Sequence, residues 1–358
     1  MSASGWISGW PKWAQWALLI GTAAVTTTLL SRAGVPAALL LGPMVFAVVM
    51  GLGGATISFK GPLRALAQGA TGVLIAGNIR PETLGNLVSI WPAAVVVLAA
   101  TMVSAMVAGV VAGRIGKIDR EAAIWGFLPG MAGAVIAMSD ARGLDARLVA
   151  IIQVLRIMVV ILCVAALSWV LGFTGRHDTA APTVTAPEEM DLLLVALAFA
   201  LMAMAPYVGR YLGRIPAGPM LVPMVLGAAC KLAGYPPQIP HPVLILAYFV
   251  IGSSVGLRFD MELMRRAGRA LPVIILSALA LVMTGGAFGA AIGRLAGTDL
   301  LSGVLSAVPG SIDAVAAITY SEGADLSFVM TLQVMRLFVV ILLGPVMARL
   351  AVRLTARR

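Results

Sequence analysis

Charged residues are scarce in this sequence. They make up 11% of its 358 positions, and hydrophobic residues make up 60%, whereas soluble domains contain roughly 25% charged residues. Such a chain has too few polar side chains to cover a soluble globule, so we exclude a water-soluble domain. Apolar runs long enough for membrane helices recur along it, and we therefore predict an all-α polytopic membrane protein whose main partner is the lipid bilayer.

Histidine and cysteine are also scarce, with two of each in the chain. His177 lies in a polar stretch and His241 between two prolines, while Cys163 and Cys230 lie far apart in apolar runs. Copper, iron and zinc sites need several such ligands together, and a disulfide framework needs paired cysteines. We therefore expect no metal, no cofactor, no disulfide and no enzyme activity, and an oxygenase in particular is disfavoured.

Acidic residues are outnumbered by basic ones. The chain has 15 aspartates and glutamates against 25 lysines and arginines, which gives a formal net charge of +10. A basic excess is also typical of proteins that bind nucleic acid. Here the basic residues lie in short loops between apolar runs, where the positive-inside rule accounts for them. We therefore expect no nucleic-acid partner.

The sequence does contain a repeat of itself, because segments of the first half recur 180 positions later. The clearest matches are Pro129-Gly130 with Pro309-Gly310, and QVLR at 153–156 with QVMR at 333–336. A repeat of this kind indicates a duplicated fold. In membrane proteins built from two repeats, the junction of the repeats is a common place for a binding site.

The duplication predicts how the chain is organised in the membrane. We divide it into a first membrane repeat at 1–173, a polar linker at 174–190 and a second membrane repeat at 191–358. Each repeat has about five apolar segments that can cross a bilayer and one further segment broken by the Pro-Gly pair. The positive-inside rule is best satisfied when the broken segment is a re-entrant hairpin and both termini are cytoplasmic. An odd number of crossings inverts the second repeat, so the two hairpin tips should meet near the membrane centre.

Two arginines lie deep inside apolar segments. Arg156 and Arg336 occupy matching positions, and Gln153 and Gln333 lie one helical turn earlier on the same face. An arginine at membrane depth costs at least ~2.5 kcal/mol on insertion scales, so it needs a polar partner or cavity. Two explanations stay open. These four side chains bind a small anion or zwitterion, since a guanidinium matches a carboxylate or phosphate, or each arginine fastens the neighbouring hairpin through backbone carbonyls or a carboxylate.

The hairpin tips supply the remaining candidate residues. The tip residues predicted to line the binding site are Pro129, Gly130, Pro309, Gly310 and Ser311. Asp313 is the acidic residue expected at membrane depth, where it would bind a coupling proton or a sodium ion. Alternatively, Asp313 pairs with Arg156 or Arg336 and fixes the hairpin. Thr319 and Tyr320 add hydroxyl groups nearby, although helix packing is the better explanation for them.

The tip and arginine motifs carry a resemblance to a known family. LPGM at 128–131 followed by QVLR, and VPGS at 308–311 followed by QVMR, resemble the duplicated AbrB-type family of bacterial membrane proteins. This family is distinct from the soluble DNA-binding regulator of the same name. Its members have been labelled regulators of gene expression or ammonia monooxygenases, and the resemblance implies an inner-membrane location but no catalytic motif.

We therefore predict an inner-membrane secondary transporter of a small anionic or zwitterionic metabolite, with its site at the interface of the two repeats. The alternative is a membrane-embedded regulator of gene expression. Because the sequence offers only short basic loops outside the membrane, such a regulator would act through a partner protein. Homo-oligomer formation is left open.

Overall fold

The fold is helical in every part of the chain that the structure, a computed structural model, describes. It describes residues 5–35, 37–79, 91–129, 135, 139, 143–170, 191–211 and 217–356, and no strand occurs among them. The helices are α1 Lys12–Arg32, α2 Ala38–Leu52, α3 Gly61–Asn78, α4 Trp91–Ile115, α5 Arg120–Phe127, α6 Ala146–Val170, α7 Leu192–Tyr211, α8 Gly218–Leu232, α9 His241–Gly256, α10 Met261–Ala267, α11 Leu271–Ala296, α12 Leu300–Ala307, α13 Ile312–Ser321 and α14 Leu326–Ala356, with a single 3-10 turn, Gly268–Ala270, before α11.

Five of these helices are long and apolar enough to cross a bilayer. They are α1, α4, α6, α7 and α11 with its preceding 3-10 turn, and shorter apolar helices accompany them. About 20 apolar residues span the hydrocarbon core of a bilayer, so these lengths are those of membrane helices. The prediction of an all-helical protein of membrane type is confirmed. The number of crossings and the re-entrant course of the broken segments stay predictions.

The chain breaks at its Pro-Gly segments. Helix α5 ends at Phe127, before Pro129, and α12 ends at Ala307, before Pro309. The residue before each proline is extended, with ψ of 122° at Leu128 and 129° at Val308. A proline ring clashes with a helical residue in front of it, which is why both helices stop there. Gly130 itself lies outside the described residues.

Helix boundaries recur along the chain with the spacing of the sequence repeat. Helices α2, α5 and α6 begin at positions 38, 120 and 146, and α8, α12 and α14 begin at 218, 300 and 326, each 180 positions later. The residues before α2 and α8, Ala37 and Ala217, both have left-handed backbones with φ of 51° and 52°. This conformation is uncommon for a residue other than glycine. The two halves therefore share unusual local structure as well as sequence.

The chain divides into two compact units, and each draws helices from both halves of the sequence. The first unit comprises Met1–Pro81, Ser168–Met261 and Ala316–Ser327, and the second comprises Glu82–Leu167, Glu262–Val315 and Phe328–Arg358. These units do not follow the predicted boundaries of the repeats at 1–173 and 191–358. The repeats are a statement about sequence and stay a prediction.

The first unit is held together by reciprocal contacts between the halves. A Cβ on Gly72 in α3 would clash with the carbonyl oxygen of Met220 in α8, and one on Gly252 in α9 would clash with the carbonyl oxygen of Leu40 in α2. Small residues let helix backbones approach this closely. Because Gly72 matches Gly252 and Leu40 matches Met220, each contact is the counterpart of the other, which is the pattern of a two-fold axis.

The second unit contains α5 and α12, which end before the two prolines, and the long helices that carry the two arginines. It contains α4, α5, α11, α12 and most of α6, α10 and α14, and α13 is divided between the units. One buried cluster joins the halves here, since it includes Trp125 and Leu128 from the end of α5 together with Val340 from α14. The sequence-predicted binding residues lie in this unit.

Candidate binding site

The two short helices α5 and α12 begin and end in the same way. Asp119 accepts a hydrogen bond from the Ala122 N–H at 2.6 Å, and Asp299 accepts one from the Ser302 N–H at 2.9 Å. These are N-caps, which satisfy free N–H groups and place negative charge at the positive end of the helix. At the other end the prolines have no N–H to donate, so carbonyl groups of the last turn need other partners.

Arg156 supplies such partners at the end of α5. Its side chain is 1% exposed, and its Nη1 donates to the carbonyl oxygens of Phe127 and Leu128, both at 2.8 Å. The last carbonyls of a helix carry partial negative charge, which a cation stabilises. The buried guanidinium therefore holds the broken segment of the first half to α6.

Arg336 does the same in the second half. Its Nη1 donates to the carbonyl oxygen of Val308 at 2.9 Å, its Nη2 to that of Gly310 at 3.4 Å, and its Nη2 also to Oε1 of Gln333. Val308 and Leu128 are matching residues, each directly before its proline. Both arginines therefore contact backbone carbonyls of the broken segments, which is one of the two arrangements considered from the sequence.

The two glutamines differ, although their motifs are nearly identical. Both are fully buried. Gln333 Nε2 donates to the carbonyl oxygens of Leu305 at 2.8 Å and Val308 at 3.2 Å, and its Oε1 accepts from Arg336. Among the described residues, Gln153 has no hydrogen-bond partner for either amide atom, and Arg156 has none for Nε. The Gln-Arg pair of the second half is therefore hydrogen-bonded through its amide, and we call it closed. The pair of the first half has buried polar atoms with no partner among the described residues, and we call it open.

The cause lies in how α5 and α12 end. At the end of α12 the Val308 N–H bonds to the Val304 carbonyl. The regular partner of the Leu305 carbonyl would be the N–H of residue 309, which proline lacks. The Leu305 carbonyl therefore accepts from Gln333. In α5 the Leu128 N–H instead bonds to the Trp125 carbonyl at 3.3 Å, in a tighter turn. Trp125 matches Leu305 in the repeat. The tighter turn therefore already uses the Trp125 carbonyl, to which Gln153 would otherwise donate.

No carboxylate among the described residues balances the positive charge of the two arginines. Among the described residues no acidic side chain lies within ion-pair distance of Arg156 or Arg336, whose hydrogen-bond partners are carbonyl groups and one amide. The two guanidiniums lie in one region, because Arg336 bonds to the Gly310 carbonyl and Gly310 packs against Val160, one turn beyond Arg156. Asp313 is half-buried in the first turn of α13 and makes a polar interaction of its own.

Each broken segment packs against the long helix of the other half. A Cβ on Gly310 would lie 3.2 Å from Cγ1 of Val160, one turn beyond Arg156 on α6. A Cβ on Gly344 in α14 would lie 2.6 Å from Cδ2 of Leu128. The break of the second half therefore reaches the region of Arg156.

The other sequence-predicted residues are distributed as follows. Pro129 and Pro309 are buried, and Ser311 is half-buried beside Gly310. Thr319 and Tyr320 belong to the other compact unit. Sequence reasoning missed the capping aspartates Asp119 and Asp299, although their recurrence 180 positions apart, ten residues before each proline, was a usable signal. In the part of the chain that the structure describes, no group of three histidine, cysteine or acidic side chains could hold a metal.

Bilayer-length apolar helices, together with two buried arginines that bond to carbonyl groups at the ends of α5 and α12, define a polytopic membrane protein of the helical class. Residues 39–352 match the family described as "Transition state regulatory protein AbrB". The chain belongs to this AbrB family, and the resemblance read from the Pro-Gly and Gln-Arg motifs is confirmed.

Two curated relatives cover most of the chain. "Putative regulator AbrB" of Escherichia coli (strain K12) is 33% identical over 337 residues, which are 94% of this chain and 96% of that protein. "Uncharacterized protein YhjN" of Bacillus subtilis (strain 168) is 25% identical over 305 residues, covering 80% of this chain and 78% of that protein.

Proposed function

We propose that this protein is an inner-membrane secondary transporter of a small anionic or zwitterionic metabolite, and that it is not an enzyme. One observation carries the proposal: the second unit buries two guanidiniums, Arg156 and Arg336, without a carboxylate partner among the described residues. A buried charge is costly unless it is paired, and a second like charge nearby adds to that cost. An anion bound beside them would supply the missing charge.

The hydrogen bonds of the arginines suggest how binding is linked to movement. Each arginine now holds carbonyl groups next to a proline, at Leu128 in one half and at Val308 in the other. A bound carboxylate or phosphate would compete for these donors, because charge-assisted hydrogen bonds are stronger than those to a neutral carbonyl. Binding beside one arginine would then loosen the broken segment that this arginine holds, as an alternating-access transporter requires of parts near its site.

The architecture supports the finer features of the proposal. Helix starts recur 180 positions apart, and the contacts of Gly72 and Gly252 are reciprocal. Both observations favour two repeats related by a two-fold axis, and an odd number of crossings in each repeat would make them inverted. We propose ten crossings, two re-entrant segments and cytoplasmic termini. Asp313, near the second break, remains our proposed site for a coupling ion.

Uptake into proteoliposomes tests the proposal. Reconstituted protein should accumulate at least one member of a panel of labelled carboxylates, amino acids and phosphate. Arg156→Gln should abolish that uptake while the protein still purifies as a folded species. Arg114→Gln is the matched control, because Arg114 is an exposed arginine at the end of a membrane helix. If the wild type takes up none of the panel, the transport proposal fails.

The alternative function is a membrane-embedded regulator, and the printed name of the Escherichia coli relative favours it. In that case ligand binding would be read out by a partner protein. Deleting the gene and following metabolites and transcripts over time separates the two. A transporter changes metabolite accumulation first, whereas a regulator changes transcripts first.

A further inference from the structure

We propose that the two Gln-Arg pairs have different roles. Gln333 and Arg336 form a fixed structural element, whereas Gln153 and Arg156 are the half that contacts ligand. The ligand that fits this half is a small carboxylate that also bears a hydroxyl or ammonium group. This inference rests on the proposed function and assigns the ligand class and its specificity-determining residue.

The second pair has no free amide N–H for a ligand, because both N–H groups of Gln333 are used. Gln333 donates to two carbonyl groups through Nε2 and accepts from Arg336 through Oε1. One of those carbonyls, that of Leu305, is served by the amide because Pro309 has no N–H to offer it. Drawing Gln333 away towards a ligand would leave buried backbone and guanidinium groups without partners, which opposes its use in binding.

The first pair has the opposite character. Gln153 is 0% exposed and Arg156 is 1% exposed, and Gln153 Nε2, Gln153 Oε1 and Arg156 Nε have no partner among the described residues. Most buried polar side-chain atoms in proteins are hydrogen-bonded, and each exception needs an explanation. Three such atoms on residues one turn apart, on one face of α6, form a compact set that a single small ligand can satisfy.

The chemistry of these atoms defines the ligand. Arg156 Nε donates only, and it belongs to a cation, so it favours an anionic oxygen. The Gln153 amide has both donor and acceptor capacity, and this holds whichever way the amide is turned. Its acceptor is satisfied only by a ligand that carries its own O–H or N–H. A plain carboxylate would leave that acceptor unpaired, whereas a hydroxy acid or amino acid would not.

The surroundings favour the same place for an anion. Gly310, the tip of the other half's break, packs on Val160 one turn beyond Arg156. Arg336 bonds to the carbonyl of this same Gly310, which brings the second guanidinium to the same region. A ligand at Gln153 and Arg156 would therefore lie in the positive field of both arginines.

Binding of two matched series of compounds tests the inference. The probes are propionate, lactate and alanine, and succinate, malate and aspartate, which differ within each series only by hydrogen, hydroxyl or ammonium. Apparent dissociation constants for the full-length protein in detergent come from thermal shift titrations. In at least one series, the hydroxyl or ammonium compound should bind about three- to tenfold more tightly than the plain acid, which is the worth of one net hydrogen bond.

The variant Gln153→Met should remove this preference, so that all members of the series bind like the plain acid. Leu162→Met, at an exposed position on the same helix, should leave the preference unchanged. If the wild type binds all members of a series equally, or if Gln153→Met keeps the preference, the inference is wrong while anion binding itself stands. If none of the six compounds binds, both the inference and the anion site of the proposed function fail.

Discussion

Replacing each glutamine in turn by methionine should change stability in opposite directions. Methionine has about the length of glutamine but lacks the amide, so it fills the space without hydrogen bonding. In the absence of ligand, Gln333→Met removes bonds that the fold uses. Gln153→Met removes amide atoms that have no partner among the described residues.

The expected magnitudes follow from the hydrogen bonds of each side chain. Without the Gln333 amide, the Leu305 carbonyl and one N–H of Arg336 lose their partners, whereas Val308 keeps its bond from Arg336. Each buried group left unpaired costs about 1–3 kcal/mol, which gives about 2–6 kcal/mol for this variant. Gln153→Met leaves no described group without its partner, so we expect no loss and a gain of up to about 2 kcal/mol from removing a buried amide that has no partner among the described residues.

Titration with sodium dodecyl sulfate in mixed micelles, followed by circular dichroism, measures these differences without any ligand. Gln333→Met should unfold at a lower detergent fraction than the wild type, and Gln153→Met at the same or a higher one. Leu162→Met on the exposed face of α6 serves as the control for methionine itself. Equal losses in the two glutamine variants would refute the asymmetry on which the ligand assignment depends.

Three further predictions concern charge, packing and topology. Gln153→Glu places a carboxylate beside Arg156, so it should stabilise the ligand-free protein and weaken binding of any anionic probe at least tenfold in the same titrations. Leucine at Gly72 or at Gly252 should overpack equivalent helix contacts and cost similar free energies, about 1–3 kcal/mol or more, in detergent unfolding; a large difference would argue against a two-fold relation. Cysteines placed at Glu121 and at Arg142 should react with an impermeant reagent from the same side of the membrane, and labelling from opposite sides would contradict a re-entrant segment.

Much of the local structure could be predicted from the sequence, because it depends on residues close together in the chain. Proline has no N–H and disfavours a helical residue before it, so the ends of α5 and α12 follow directly from Pro129 and Pro309. The burial of Arg156 and Arg336 follows from their distance from the nearest polar segment. These arguments need only local geometry and the thickness of a bilayer.

The difference between the glutamines could not be predicted in this way. QVLR and QVMR place Gln153 and Gln333 identically on their helices, and each arginine contacts the residue before its proline. The glutamines differ because the short helices in front of them end differently. The Leu128 N–H bonds to the Trp125 carbonyl at the end of α5, whereas the Val308 N–H bonds to the Val304 carbonyl at the end of α12. The end of α5 packs against Val340 of α14, which is far away in the sequence, and the local motif carries no information about such contacts.

The grouping of helices into two units could not be predicted from the sequence either. A repeat suggests that each half folds on its own, yet each compact unit combines helices of both halves. The reason is visible at Gly72 and Gly252, where a missing side chain allows a helix of one half to touch the backbone of the other. Glycine in an apolar run marks a close contact but does not identify its partner.

The asymmetry between the pairs is better explained by divergence than by an exchange of conformations between the halves. In a transporter with two equivalent repeats, the open and closed arrangements could change places during the cycle, and Gln333 would then become free while Gln153 became bonded. Here the matching residues differ in kind: Trp125 stands opposite Leu305, and Gly133 stands opposite Asp313. The two breaks therefore carry different side chains at matching positions in the sequence, which favours divergence over an exchange of conformations. Gln153 and Arg156 are therefore expected to remain the open pair throughout the proposed transport cycle. Of the two glutamine variants, only Gln153→Met should alter which ligand is preferred.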